Sequence, residues 1–170
     1  MRIAYADPPY MGQSHRYPEK QEVDHTALIR ELQGYDGWAL SASTPSIQDI
    51  VPMLNSVTRD YRIGAWVKPY AVYHPNVNPA YAWEPVFFHP ARGYDRTDLT
   101  VRDWISACIT LERGVVGAKP DNFCFWLFRI LGVQPTDDFY DLFPGSGAVT
   151  RAWDSYCGQL SMTMSIEESL

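Results

Sequence analysis

Asp7-Pro8-Pro9-Tyr10 follows an apolar run, Ile3-Ala4-Tyr5-Ala6, that reads as a short buried strand. Together these four residues can hold an amino group attached to a flat ring. Such a nitrogen is a poor nucleophile because its lone pair is delocalised into the ring. The Asp7 carboxylate and the Pro8 carbonyl are acceptors for its two protons. Consecutive prolines fix φ twice and hold that carbonyl rigidly. Binding both protons draws the nitrogen toward tetrahedral geometry, and Tyr10 offers a face on which the ring can stack. The same tetrapeptide is also an ordinary turn closing a strand, with Tyr10 at the surface. A second signal, Asp141-Leu142-Phe143-Pro144-Gly145-Ser146-Gly147, lies far downstream. A glycine-rich turn between strand and helix lets a ligand approach the backbone closely. It is equally a well-made helix start.

These residues need a scaffold, and the hydrophobic pattern supplies one. Strands are expected at 1–6, 38–42, 62–67, 84–88 and 139–143, with one more short strand at 159–164. Helices are expected after Asp24, ending near Gly34, and after Thr44 or Ser46 as cap. A third runs from Lys119-Pro120 to Gly132, and a last opens at Gly145-Ser146-Gly147. Residues 11–22 read as an exposed loop on the substrate side. Residues 90–118 are the least regular stretch, with Trp104 to Leu111 its best helical candidate. Alternating strands and helices joined by short connections form a mostly parallel α/β sheet covered by helices on both faces. Ligands bind such sheets past the carboxyl ends of the strands. Asp7, Ser41, Lys68 and Asp141 all fall at or near expected strand ends, so they can converge on one cleft.

Composition narrows the classes. At 170 residues the chain is expected to form a single domain, 1–170. Net charge is −6 and pI about 5.1, against an autonomous tight binder of duplex phosphate. Arg92, Arg96, Arg102 and Arg113 could line a local groove. Asp95, Asp98, Asp103 and Glu112 are interspersed with them, which favours a mixed solvated surface. Cys108, Cys124 and Cys157 lack metal spacing and read as free thiols. His15, His25, His74 and His89 show no ligand spacing either, so no metal is expected. Met1-Arg2 leads straight into a strand without a signal-peptide pattern. No apolar run is long enough to span a bilayer. A cytoplasmic protein without a membrane partner is the expectation.

The two motifs in this order resemble the beta group of amino-methyltransferases acting on DNA adenine or cytosine. In that group Asp-Pro-Pro-Tyr comes first, a Phe-x-Gly-Ser-Gly cofactor motif comes last, and a target-recognition segment lies between. Lys119-Pro120, the following apolar helix, and Asp141 to Gly147 look like the family's cofactor-binding block. Trp66-Val67-Lys68-Pro69 and Glu84 look like its central strands. The resemblance covers roughly residues 1–10 and 36–155, and is strong in its two motifs and loose elsewhere. It implies a Rossmann-like methyltransferase fold using S-adenosylmethionine, with residues 90–118 as a short recognition segment.

The resemblance also implies roles. Asp7, Pro8, Pro9 and Tyr10 would be catalytic, with Tyr10 stacking on an extruded base. Asp141, Phe143, Gly145, Ser146 and Gly147 would form the cofactor pocket, with Lys119 and Pro120 on its flank. Lys68 would contact a substrate phosphate or form a structural ion pair with a carboxylate. The expected reaction is N6-methylation of adenine in DNA. Cytosine N4, RNA, a nucleotide, and a non-catalytic binding subunit stay open. A homodimer is among the open assemblies, because so small a chain grips nucleic acid better in pairs. Three departures stand out, one being that residues 90–118 leave little room for a base-reading subdomain. Leu160 to Ser165 carries no acid where the family binds the ribose hydroxyls, Glu167 and Glu168 being the nearest. Gly114-Val115-Val116-Gly117-Ala118 replaces the family's polar run before Lys119.

Overall fold

The structure is a computed structural model that describes residues 1–12, 14, 22–70, 75–95, 99–109 and 118–167, with side chains through residue 160. His15, His74, Arg96, Asp98, Glu112, Arg113 and Glu168, with residues 13 and 15–21 of the expected loop, lie outside the described residues.

Six strands form one sheet: β1 (Arg2–Ala6), β2 (Gly37–Ser41), β3 (Arg62–Val67), β4 (Trp83–His89), β5 (Trp104–Ser106) and β6 (Asp138–Asp141). Their spatial order is β5-β3-β4-β2-β1-β6. β1 is parallel to β2 and β6, and β3 is parallel to β5. β4 runs antiparallel between β2 and β3. The sheet is therefore mostly parallel, as the alternation of elements implied.

Period-2 alternation splits β1 between two cores. Ile3 and Tyr5 face α3 (Asp121–Leu131) and α4 (Ala148–Glu167), in a cluster with Trp66, Phe123 and Phe128. Ala4 and Ala6 face the opposite cluster, with Leu28, Ile29, Ile50 and Leu54. Those residues come from α1 (His25–Leu32) and α2 (Ile47–Val57). Helices thus cover both faces, and β1 sits where the connections change face. That is the switch point at which open α/β sheets bind ligands.

Helix ends follow their local chemistry. Asp24 caps α1 by accepting the Ala27 N–H at 2.9 Å. α3 buries Phe123, Cys124, Leu127, Phe128 and Leu131 at helical spacing and stops at Gly132, φ 66°. Neither Thr44 nor Ser46 caps α2 through its side chain; a 3-10 turn, Thr44–Ser46, precedes that helix instead.

Two expected elements are different. Trp104–Ser106 is a strand, not part of a helix. The open edge of β3 needs partners for its backbone groups. The Ala65 N–H finds Asp103 O at 2.9 Å, and the Ala107 N–H finds Val67 O at 3.1 Å. Two indoles pin the segment: Trp66 Nε1 donates to Ala107 O at 2.9 Å and Trp126 Nε1 to Arg102 O at 2.8 Å. At 159–164 there is no strand, because α4 continues to Glu167. Leu160, Met162 and Met164 mimic a two-residue period, yet Gln, Leu, Met and Glu all suit a helix. Trp153 and Tyr156 anchor that helix on Phe128, at centroid distances of 5.4 and 5.3 Å. Among the described residues, no helix is long and apolar enough to cross a membrane.

Candidate functional site

The ends of β1, β2, β3 and β6 and the start of β4 meet at one edge of the sheet. Two buried side-chain oxygens there, Thr44 Oγ1 and Asp141 Oδ1, make neither a hydrogen bond nor an ion pair among the described residues, and a third, Glu84 Oε2, is met only by an ion pair. Buried polar atoms normally have partners, so orphans gathered at a ligand-binding edge mark a site.

Asp7 emerges from β1 and meets Lys119, whose Nζ lies 3.1 Å from Asp7 Oδ2 and 3.5 Å from Glu84 Oε2. The Lys119 side chain is only 5% exposed. Glu84 Oε1 accepts from Lys68 Nζ at 2.5 Å, and the Tyr10 hydroxyl also donates to Glu84. Both ammonium groups lie near the Trp66 ring, Lys68 at 5.0 Å and Lys119 at 5.1 Å from its centroid. Below them the Tyr5 hydroxyl and Ser41 Oγ are 2.8 Å apart. Four charged groups of opposite sign thus form a compensated cluster held by β1, β3, β4 and the start of α3.

Electrostatics within the cluster are uneven. Burial pushes the Asp7 carboxyl above its ordinary value, with Lys119 opposing the shift. Burial acts the same way on Glu84, but Lys119, Lys68 and Tyr10 outweigh it and Glu84 lies low. Burial disfavours the Lys119 ammonium, and the carboxylates of Asp7 and Glu84 outweigh that, holding it high.

Asp141 stands on β6, the strand beside β1, paired in register with Tyr5. The Leu142 N–H donates to Tyr5 O at 2.9 Å and fixes where β6 ends. Asp141 Oδ2 accepts from Thr150 Oγ1 at 3.3 Å, and the nearby Phe143 backbone N–H also favours the carboxylate. Oδ1 is left over. Burial, then the nearby Asp7, outweigh those donors and raise this carboxyl. Beyond it, Gly145 and Gly147 adopt φ of 45° and 72°. A side chain is strained in that region, so the turn stays bare on its ligand side. Ser146 O accepts from Arg151 Nη1 at 2.9 Å. Phe143 packs against the α1/α2 cluster.

The structure therefore gathers Asp7, Tyr10, Lys68 and Lys119, with Asp141 and its turn on the adjoining strand. Lys68 forms the carboxylate ion pair that its sequence position left open. Arg92 does not line a groove: its Nη1 and Nη2 each lie 2.6 Å from Asp137 oxygens. Glu84 as the hub was missed by motif reading. Its signal was a carboxylate opening a strand that is otherwise apolar and aromatic, Trp83-Glu84-Pro85-Val86-Phe87-Phe88. A separate cavity of about 270 Å³, lined by Arg62, Phe88, Tyr94, Asp103 and others, contains none of these residues.

No family model matches the sequence, and no curated protein does. Solved structures do. The crystal structure of the M1.HpyAVI–SAM complex superposes with TM-score 0.63 at 16% identity, covering 92% of this chain and 78% of that one. A crystal structure of M1.HpyAVI gives 0.57 at 14% identity, over 92% and 76%. The chain shares the α/β, Rossmann-like fold of these structures. In that fold the cluster around Asp7 and the Gly145–Gly147 turn occupy the ligand-binding edge of the sheet.

Proposed function

We propose that this chain is an S-adenosylmethionine-dependent methyltransferase acting on the exocyclic amino group of adenine in DNA. One observation carries the reading. The rigid Asp7-Pro8-Pro9-Tyr10 turn and the carboxylate of Asp141, with its orphan Oδ1, stand on adjacent parallel strands at the binding edge. A fold likeness to a SAM complex supports the same cofactor here.

The residues fit that cofactor. Asp141 Oδ1 is a buried acceptor awaiting a donor, as the ammonium of a methionine moiety would be. The left-handed Gly145 and Gly147 let the backbone approach it closely. When bound, S-adenosylmethionine supplies an electrophilic methyl group. The chain supplies placement. Lys119 occupies Asp7 Oδ2, so the substrate amino proton is assigned to Oδ1, and the second to the Pro8 carbonyl. Pro9 holds the turn. Tyr10, anchored through its hydroxyl to Glu84, presents its ring to the base. Catalysis then rests on positioning, which can account for several kcal/mol of the barrier, on the order of 7–11 at its best. With the cofactor held by Asp141 and the Gly145–Gly147 turn, Asp7 and the Pro8 carbonyl would aim the amino lone pair at the methyl group that it would supply, and the proton released would pass to water.

A second reading concerns the substrate's form. Lys68 and Lys119 are both engaged by carboxylates, so these cations do not supply a phosphate grip. With a net charge of −6, that favours a nucleotide over a polyanionic strand. Cytosine N4 offers the same amino chemistry.

The test is transfer of labelled methyl to unmethylated genomic DNA, native and denatured, followed by digestion to nucleosides. Label in N6-methyladenine, absent with Asp7→Ala, is the expected result. No transfer to DNA, RNA or nucleotides by a chain that binds the cofactor would refute catalysis.

A further inference from the structure

Resting on that reading, we propose that Lys119 is a positioning residue for Asp7. It clamps Oδ2 and, through Glu84, ties Tyr10 and Lys68 into one unit, so that Asp7 meets the substrate as an oriented anion.

The geometry gives Lys119 little else to do. Its side chain is 5% exposed, too enclosed to meet a polyanion in solution. Its Nζ sits 3.1 Å from Asp7 Oδ2 and 3.5 Å from Glu84 Oε2. The rings of Trp66 and Phe123 lie 5.1 and 5.7 Å away and wall the ammonium in. Ala118 and Pro120 beside it are both buried or half-buried, and Pro120 starts α3 in an extended conformation, φ −72° and ψ 151°. The cation is thus carried directly before the proline that opens α3.

An ordinary lysine ion pair at a surface contributes little. This one is different because of what each partner touches. Asp7 is the charged member of the cluster within the Asp7-Pro8-Pro9-Tyr10 turn, and the two prolines after it hold its backbone. Fixing one carboxylate oxygen fixes where the other points. Glu84 extends the constraint: it binds Lys119, Lys68 and the Tyr10 hydroxyl. The residue that accepts the amino proton and the ring that stacks on the base are therefore set by one buried unit.

Groups facing Asp7 come from every element around it. Tyr5 on β1, Lys68 after β3, Glu84 on β4, Lys119 before α3 and Asp141 on β6 all act on its ionisation or are acted on by it. Glu84 and Asp141 favour the neutral acid, as does burial. Lys119, with Lys68 further off, favours the anion. An opposite charge within about 4–6 Å displaces a carboxyl by about 1–3 pH units. Lys119→Met keeps the stem and deletes the charge, so the titration of Asp7 moves up by that amount. Glu84→Gln removes a like charge and moves it the other way. Lys119→Arg restores the cation.

The deciding measurement is the Asp7 carboxyl titration by carbon NMR in protein labelled at aspartate, assigned with Asp7→Asn. It needs no turnover. A shift upward by at least about one pH unit in Lys119→Met, reversed in Lys119→Arg, is expected. If Lys119→Met does not fold, Glu84→Gln must move Asp7 downward. An unmoved Asp7 in a folded variant of either kind overturns the proposal. In parallel, the acidic limb of kcat/KM for methyl transfer follows the same direction, whereas a purely structural loss would lower activity equally at all pH. Wild-type protein that transfers no methyl group would sink the functional reading, while the NMR titration would still decide the role of Lys119.

Discussion

Replacing Asp141 by Asn separates cofactor binding from folding. The exchange is isosteric, so the β6 end and the turn keep their shape. Asp141 Oδ2 has Thr150 Oγ1 at 3.3 Å, while Oδ1 is buried and bonded to nothing among the described residues. If Oδ1 receives the cofactor ammonium, the substitution removes a charge-assisted hydrogen bond worth roughly 1.5–3 kcal/mol. That is a roughly 10- to 150-fold rise in Kd. Isothermal titration with S-adenosylmethionine and with S-adenosylhomocysteine should show it, because both carry the ammonium. Methylthioadenosine lacks the amino-acid part and should bind both proteins alike. Folding goes the other way. Burial and Asp7 raise the Asp141 carboxyl in the folded state. A group raised in this sense stabilises the fold below its unfolded value, about 3.9, and loses that contribution as pH rises through the folded value. At pH 7 the buried anion therefore opposes folding, and Asn does not. Asp141→Asn should have a urea midpoint at pH 7 no lower than wild type. Unchanged affinity for S-adenosylmethionine, or an equal loss for methylthioadenosine, would refute the assignment of Oδ1.

Two stability predictions complete the set. Asp137 is fully buried against Arg92 at 2.6 Å and takes the Gln134 N–H at 2.8 Å; Asp137→Ala should cost about 3 kcal/mol in urea unfolding at pH 7, since it strands half of a buried pair. Burial opposes the Asp137 carboxylate, but Arg92 outweighs it and holds the carboxyl well below the usual range. This contribution is present above the unfolded value of about 3.9 and fades as pH falls toward the folded one, so the gap between variant and wild type should narrow below about pH 4. Gly37→Ala would place a methyl 2.6 Å from both Ala91 Cβ and Ala91 N; thermal melting should show a loss of about 1–3 kcal/mol from overpacking, and an unchanged melt would mean that the 90–95 segment moves freely away from β2.

The parts of this molecule that were legible in its sequence are those set by local rules. The order of strands and helices followed from period-2 and helical patterning, and Asp24 and Gly132 punctuated helices as cap chemistry requires. Where the reading failed, tertiary bonds decided. Trp104–Ser106 has helix-compatible neighbours, yet the unpaired edge of β3 and two indole donors made it a strand. The Leu160–Met164 alternation was outvoted by α4, already docked through Trp153 and Tyr156. The site divides in the same way. Asp7 to Tyr10 is a contiguous motif and could be read directly. The cluster that holds it joins residues 7, 68, 84 and 119, and no local pattern links a lysine before α3 to a glutamate opening β4. What links them is charge. Burying Asp7 for chemistry requires a cation, burying that cation requires further acceptors, and Glu84 shared between Lys119 and Lys68 brings the cluster to neutrality. The sequence shows the residue that needs compensation; only the fold shows which residues supply it.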